Sequence, residues 1–370
     1  MNRRRKLLMM SGGFDPDAIA YIERVLSDSG QVLNTKSEVN RFVRGLKQDE
    51  VFADASIVNL AGGVKAGKLY NVKGTDFTVA RNSKAWGLNR DGVLQEFAVN
   101  VPRTVFDSAG NLLGTLVEHS ASNLLGETAL LATQSRTVTA GAHTISFYGT
   151  GEIVLSGAGA GTLTGTGVNN RVSLTFTATA DTLTVTVTGD VTFAQLETGS
   201  IATSYIENTG SPGTSVTRLA DNILSEDIDS EINNSTFTVL FKSTITADAS
   251  NRTIFEMSFT NNRLEIRLDS SNNLQIVYVR DDGIIRTQST STSALGVNSF
   301  ALSYNLPSNE IKLYKNGSLI TTTTESLMAS SFDSIKFGSR VNNSQYLNSA
   351  IHSLSVINRV LTLAEIQALS

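Results

Sequence analysis

A mainly β protein is predicted: two antiparallel β-sandwich domains preceded by a small helical N-terminal module. Three observations carry that expectation. First, VSLTFTATA (172–180) and TLTVTVTG (182–189) alternate apolar residues with Thr or Ser. Strict period-two alternation packs one face of a strand and wets the other. Second, IKLYKNGSLI (311–320) sets Asn316-Gly317 between two strand-like runs, a strong short hairpin signal. Third, Thr, Ser, Asn and Gly are abundant and there are only 4 prolines, a mixture suited to sandwiches with many outward-facing polar positions. At 370 residues and 40% hydrophobic content, more than one packed core is expected.

The N-terminus MNRRRKLLMM has four apolar residues before Ser11-Gly12-Gly13. A secretory core needs about 7–15, and no apolar run approaches the ~18 residues of a membrane span. The expectation is therefore no signal peptide and no membrane segment, with Arg3-Arg4-Arg5-Lys6 a solvated or partner-docked tail. Asp15-Pro16 starts a helix well, with a capping carboxylate and proline in the first turn. Ile19, Ile22 and Val25-Leu26 share one face, Gly30 breaks the helix, and a second stripe follows with Val39, Phe42, Val43 and Leu46. Two short amphipathic helices cannot bury their stripes alone. Residues 1–65 are thus expected to be a docking module, with Tyr21, Ile22, Val25, Phe42, Val43 and Leu46 as anchoring residues.

Residues 66–105 read as an extended β connector, with a hairpin at Asp91-Gly92 and a strand ending at Pro102-Arg103. Arg103 and Glu118 are expected to pair structurally at a strand junction. Residues 106–222 form the first sandwich, closed by the linker NTGSPGTS (208–215), and 223–370 the second. Its strands are expected at 236–242, 263–268, 274–279, 299–306, 311–315 and 334–338, before a closing strand and a terminal amphipathic helix bearing Leu361, Leu363, Ile366 and Leu369.

The chemistry of the chain is limited. A net charge of −4 makes a nucleic-acid partner unexpected. Zero cysteines remove thiolate nucleophiles and zinc-thiolate sites. His119, His143 and His352 are widely spaced, without a metal-binding pair. The glycines of GAGAGTLTGTG (157–167) lie between Thr-rich strands and lack the helix a dinucleotide fingerprint needs. In SEDIDSE (225–231), Asp227, Asp229 and Glu231 have calcium-loop spacing without the required glycine. No catalytic residue, metal or cofactor is expected. Sugar C–H faces stack on aromatic rings, which makes Tyr278, Tyr304, Tyr314 and Tyr346 relevant, whereas Trp86 lies in the connector. Tyr314 with Asn316 at the hairpin, and Tyr346 in NNSQY, are the glycan-binding candidates.

Ile351, Leu354, Val356, Asn358, Arg359, Leu361, Glu365 and Ile366 resemble the closing strand and helix of a concanavalin A-like (laminin-G-like) jelly roll. Ser349 replaces the usual glycine and His352 the usual acid, so a metal held by that acid in relatives is not expected here. The pattern of three strand-borne acids, E-x-D-x-x-E, found in jelly-roll glycosidases is absent; Glu256, Glu265 and Asp269 are the nearest acids. Asp15, Asp17, Ala18, Tyr21, Ile22 and Val25 resemble a helical segment of tailed-phage structural proteins. Phe77, Thr78, Arg81, Ser83, Ala85, Asp91, Gly92, Leu94, Asn100, Pro102, Arg103, Asp107, Leu116, Val117, Glu118 and Asn123-Leu124-Leu125 resemble a recurring segment of phage fibres and spikes. Phe193–Glu197, Gly199 and Ala202–Ile206 resemble the closing strand of the carbohydrate-binding-module-like sandwich in the same proteins. The resemblance implies a non-enzymatic virion protein of a tailed bacteriophage: a head or tail fibre, spike or decoration subunit. Its N-terminus would anchor to capsid or tail proteins, it would be a homotrimer, and its distal domains would attach to a host surface glycan. A polysaccharide-degrading tailspike enzyme and a bacterial surface adhesin are the alternatives.

Overall fold

The computed structural model describes residues 55–369, without 66–67, 260–261, 281–282, 325–326 and 328–331. The helical stripes with Tyr21, Ile22, Val25, Phe42, Val43 and Leu46 lie outside the described residues. The described chain is mainly β, as the alternation predicts.

It enters through an antiparallel meander of β1 (Ala55–Lys65), β2 (Lys68–Lys73) and β3 (Phe77–Ala80). A hairpin follows, β4 (Ala85–Leu88) and β5 (Leu94–Phe97). Its turn forms where Asp91-Gly92 predicts it: Asn89 Oδ1 accepts from Asp91 N at 2.9 Å and Val93 N at 3.0 Å, and Gly92 has φ +73°. Next come β6 (Arg103–Phe106) and β7 (Leu112–Val117), which pair with each other. Pro102 stands just before β6 instead of ending a strand, a position where its missing N–H leaves the ladder intact.

The first sandwich is built by β8 (Ala121–Asn123), β9 (Gln134–Val138), β10 (Gly141–Gly149), β11 (Glu152–Gly157), β12 (Gly161–Thr164), β13 (Gly167–Ala178), β14 (Asp181–Thr188) and β15 (Val191–Thr198). The orders β13-β10-β15 and β12-β11-β14-β9 form its two layers. Leu183 and Val185 of the Thr-rich alternation are buried with Ile145, Phe147, Ile153 and Leu196. Val172 and Leu174 only half reach that core. The strand pairing draws this domain more tightly than 106–222, because β6 and β7 belong to the neighbouring sheet. Two short strands lead out, β16 (Val216–Arg218) on β8 and β17 (Asn222–Ser225) on β3.

The jelly roll contributes β18 (Thr236–Ile245), β19 (Arg252–Phe259), β20 (Asn262–Leu268), β21 (Asn273–Val279), β22 (Ile285–Ser293), β23 (Gly296–Asn305), β24 (Glu310–Lys315), β25 (Ser318–Thr323), β26 (Ser334–Phe337) and β27 (Ser349–Ile357). A continuous ladder runs β22-β21-β20-β19-β26-β17-β3-β2-β1-β27-β18-β23-β24-β25 and folds over one core. Rings from its two halves meet inside: Phe241 lies 5.2 Å from Phe255, and Phe77 4.8 Å edge-on from Phe337. Ala55–Lys65, placed in the N-terminal module by sequence, is therefore a strand of this sheet, with Ile57 fully buried. β27 pairs β18 along one edge and both β1 and β7 along the other. Gly114 (φ +113°) makes the last contact possible, since a Cβ there would lie 2.3 Å from the Ile351 carbonyl oxygen.

The terminal helix α1 (Leu363–Ala368) follows β27. Thr362 and Glu365 form a reciprocal capping box, and Glu365 also takes Arg359 through both oxygens, at 3.1 and 2.7 Å. Ile366 and Leu361 bury against Ile357, Ala301 and Tyr314 on the outer side of the sheet.

Candidate functional site at the domain junction

Two domains joined by short strands need something to fix their angle. Here a buried ionic network does so. Arg103 donates to Glu118 at 2.8 Å and to Asp221, while Arg81 donates to Asp221 at 2.9 Å. Arg218 adds longer contacts to Glu118 at 3.3 Å and Asp221 at 3.7 Å. Glu118 also accepts from the Ser204 amide at 2.8 Å and hydroxyl at 2.6 Å. All three guanidinium side chains have zero exposure. Burial alone would push the Glu118 carboxyl up, but Arg103, Arg218 and Ser204 outweigh it and hold the group well below the usual carboxylate range. The expected Arg103–Glu118 pair is thus present within a larger set. Arg81, Arg103, Glu118 and Ser204 all belong to the segments that resemble phage appendages; Arg218 and Asp221 do not.

Beside this network the domains leave two adjoining clefts of about 450 and 430 Å3, which share Ser200, Ile201 and Asn348. The divider is the 199–202 turn, part of the closing segment after β15. The smaller cleft is walled by His119, Asp248, Ser250, Asn251, Gln345 and Tyr346. His119 Nδ1 lies 2.7 Å from Asn348 Oδ1, an oxygen that accepts, so that nitrogen carries a proton. Asn348 Nδ2 donates to Asp248 Oδ2 at 3.1 Å, which fixes the amide within the jelly roll. The Gln345 side-chain oxygen is buried without a hydrogen-bond partner. Asn343, Gln345 and Asn348 all adopt left-handed backbone (φ +59°, +53° and +53°), strain concentrated in the one loop that walls the cleft.

The larger cleft mixes apolar walls with hydroxyls. Tyr148 and Tyr205 line it, and Phe193 and Trp86 pack behind them, with Trp86 5.6 Å from Tyr205. Trp86, assigned to the connector by sequence, is therefore packed onto the first sandwich and half-exposed. Arg171 reaches in from β13, its Nη1 donating to the Thr203 carbonyl at 2.5 Å and its Nη2 to Ser146 Oγ at 2.7 Å.

Of the glycan-binding candidates, only Tyr346 lies at a cleft. Its hydroxyl donates to Asn222 Oδ1 at 2.8 Å, and its ring packs half-buried on the jelly-roll core. Tyr314 is 8% exposed because α1 covers it, which corrects the expectation of an open platform. Asn316 and Gly317 form the predicted turn (φ +48° and +75°), and the Asn316 amide is occupied by Ser299 N at 2.9 Å and Asn298 Oδ1 at 2.9 Å. Tyr278 and Tyr304 are core residues. Tyr148, Arg171 and Asp248 went unnoticed in the sequence, and His119 was weighed only as a metal ligand; the G-x-x-A-T-S turn at 199–204 was the one visible pointer, since it divides the clefts.

The acids weighed for hydrolysis also find places. Glu256 and Glu265 are directly opposite on β19 and β20 and both buried, while Asp269 caps the turn that follows by accepting from Ser271 N and Asn273 N. Arg340 grips Glu265 through two bonds, at 3.1 and 2.9 Å, and Val341 N donates to Glu256 at 3.3 Å. Burial, then the neighbouring Glu265, pushes the Glu256 carboxyl up to about 6. His352, in the position of the family's acid, bonds Thr244 at 2.7 Å, and burial followed by Lys242 pushes it down to about 4. Glu231 of the calcium-like run accepts from Thr75 N at 3.0 Å.

The concanavalin A-like lectin/glucanases superfamily matches residues 219–367. Among solved structures, botulinum neurotoxin type C, whose cell entry depends on two ganglioside molecules, is similar at 17% identity with a TM-score of 0.34. That alignment covers 40% of this chain and 39% of the toxin chain. The NanB sialidase from Streptococcus pneumoniae is similar at 17% identity and TM-score 0.35, over 40% of this chain and 26% of that one. The likeness is confined to part of each molecule. Among curated proteins none matches the chain in sequence. Residues 219–367 thus match a concanavalin A-like lectin/glucanase domain, within a chain that also holds the first sandwich.

Proposed function

We propose that this chain is a non-enzymatic structural protein of a tailed-phage virion: a head or tail fibre, spike or decoration subunit. Residues before the described fold would anchor it to capsid or tail proteins, and the junction clefts would hold a host surface glycan. The observation that carries the reading is where the appendage-like segments go. Arg81, Arg103, Glu118 and Ser204 converge on the network that locks the two domains, and the same closing segment shapes both clefts. A rigid two-domain head with a ring-walled, hydroxyl-rich cleft suits avid attachment through several weak sites, as in a trimer. Glu256 and Glu265 favour display over hydrolysis, since both are buried and the 339–348 loop donates to each.

Four measurements test the reading. Mass spectrometry of purified virions is expected to detect the chain, and its absence from particles would sink the virion assignment. A glycan array is expected to show binding that falls in Tyr346→Ala and is unchanged in Asn316→Ala; a blank array would sink the glycan role. Sugar release from host polysaccharide would favour the tailspike alternative. A light-scattering mass near 39.6 kDa for the intact chain would count against the trimer.

A further inference from the structure

We infer that the larger junction cleft takes a carboxylate-bearing saccharide, with its acid group seated against Arg171. The inference rests on the glycan-binding reading and specifies the class of sugar. Among the described residues lining this cleft, the charged ones are Arg171 and Glu118. Glu118 is already engaged by Arg103, Arg218 and both donors of Ser204. Arg171 is held only by neutral acceptors, the Thr203 carbonyl and Ser146 Oγ, and its Nε is buried without a hydrogen-bond partner. No carboxylate of the described residues lies within ion-pair distance of it.

The surroundings reinforce the sign. The network next to the cleft sets three guanidinium groups against two carboxylates, all nearly or wholly buried. Glu197, the other carboxyl in the region, is 1% exposed; burial pushes it up and the nearby Arg171 opposes that rise, so it offsets part of the Arg171 charge without an ion pair among the described residues. A positive excess buried beside the cleft favours an anionic ligand, and a guanidinium with open donors pairs geometrically with a carboxylate. The remaining walls suit a pyranose. Tyr148 and Tyr205 stand buried in its wall, with only their edges toward the cleft, and Ser173 and Ser200 offer hydroxyl partners.

The test titrates the full chain by calorimetry at pH 7 and low salt with trigalacturonate and with sialyllactose, each against its methyl ester. Esterification removes the charge and leaves the sugar unchanged. At least one acid is expected to bind about tenfold or more tightly than its ester, as a charge-assisted hydrogen bond implies. That preference is expected to vanish in Arg171→Gln. Ser173 is exposed two residues along the same strand, so Ser173→Asp places a carboxylate beside Arg171 without disturbing the core and should also abolish it. Equal affinity of acid and ester, binding of neither, or a preference that survives both substitutions overturns the inference. Equal binding of acid and ester leaves the glycan reading standing, whereas a blank glycan array removes both.

Discussion

Arg103 shows how much one side chain can carry. Removing it leaves Glu118 without its 2.8 Å partner and deprives Asp221 of one of its guanidinium groups, in a buried site. Breaking a buried pair by deleting one member costs about 3–5 kcal/mol. Arg103→Ala is therefore expected to lower stability by that amount in denaturant unfolding, and a loss under about 1 kcal/mol would contradict the role given to the network. Glu256 behaves in the opposite sense. Its folded carboxyl sits near 6 against an ordinary 4.5, so the stability it contributes is present below pH 4.5 and lost as pH rises through 6. Glu256→Gln should be more stable than the parent by up to about 2 kcal/mol at pH 8 and no different at pH 4. Equal differences at both pH values would refute the shift. Tyr314 marks where residue-level reading failed. Alternation along β24 correctly sends Ile311 and Leu313 to the core and Tyr314 to the other face. That face is not open, because the apolar side of α1 needs a surface and takes it. The stripe of Leu361, Ile366 and Leu369 was visible; where it docks depends on tertiary structure, which periodicity does not encode.

At the scale of elements, signals worked where one physical cause dominated. The Asn-Gly hairpin, the Thr-rich strands and the terminal helix all appear where local chemistry puts them. β22 (IRTQSTSTS) escaped because it lies at the end of the ladder with no buried alternation to betray it. β1 escaped for a different reason: its Gly62-Gly63 pair and bulged register blur a strand that is settled by β27 and β2. The clefts themselves had no signature, since their walls come from turns far apart in sequence. The capping box of α1 gives this scale its prediction. Thr362 accepts from Glu365 N and lies at the mouth of a helix whose other side covers Tyr314. Thr362→Ala is expected to cost about 1 kcal/mol and to increase the solvent accessibility of Tyr314 in fluorescence quenching. Unchanged stability would mean that packing alone holds the helix.

For the whole molecule, the position of β1 changes where the chain should be cut. A deletion of residues 1–65 removes Ile57 and the hydrogen bonds that β1 makes to both β2 and β27. A deletion of residues 1–54 spares them. The shorter deletion is expected to keep the thermal midpoint of the parent and the longer one to lower it by several degrees, and equal midpoints would show that β1 is dispensable. On the proposed function, both deletions detach the protein from particles, so only the shorter one tests anchoring without damaging the fold.

The placement of β27 also sets an order of events during synthesis. It is the last of the described strands in chain order, yet β1, β7 and β18 all pair with it, with Ala55 opposite Ile357. The first sandwich has its own core and can close while the rest is still being translated. The jelly roll must wait, holding open strand edges until its final residues arrive, and such long-range closure is slow. A nascent chain stopped before residue 349 would keep those edges permanently unpaired and available to other chains. Termination before β27 should thus give insoluble product rather than a smaller working domain.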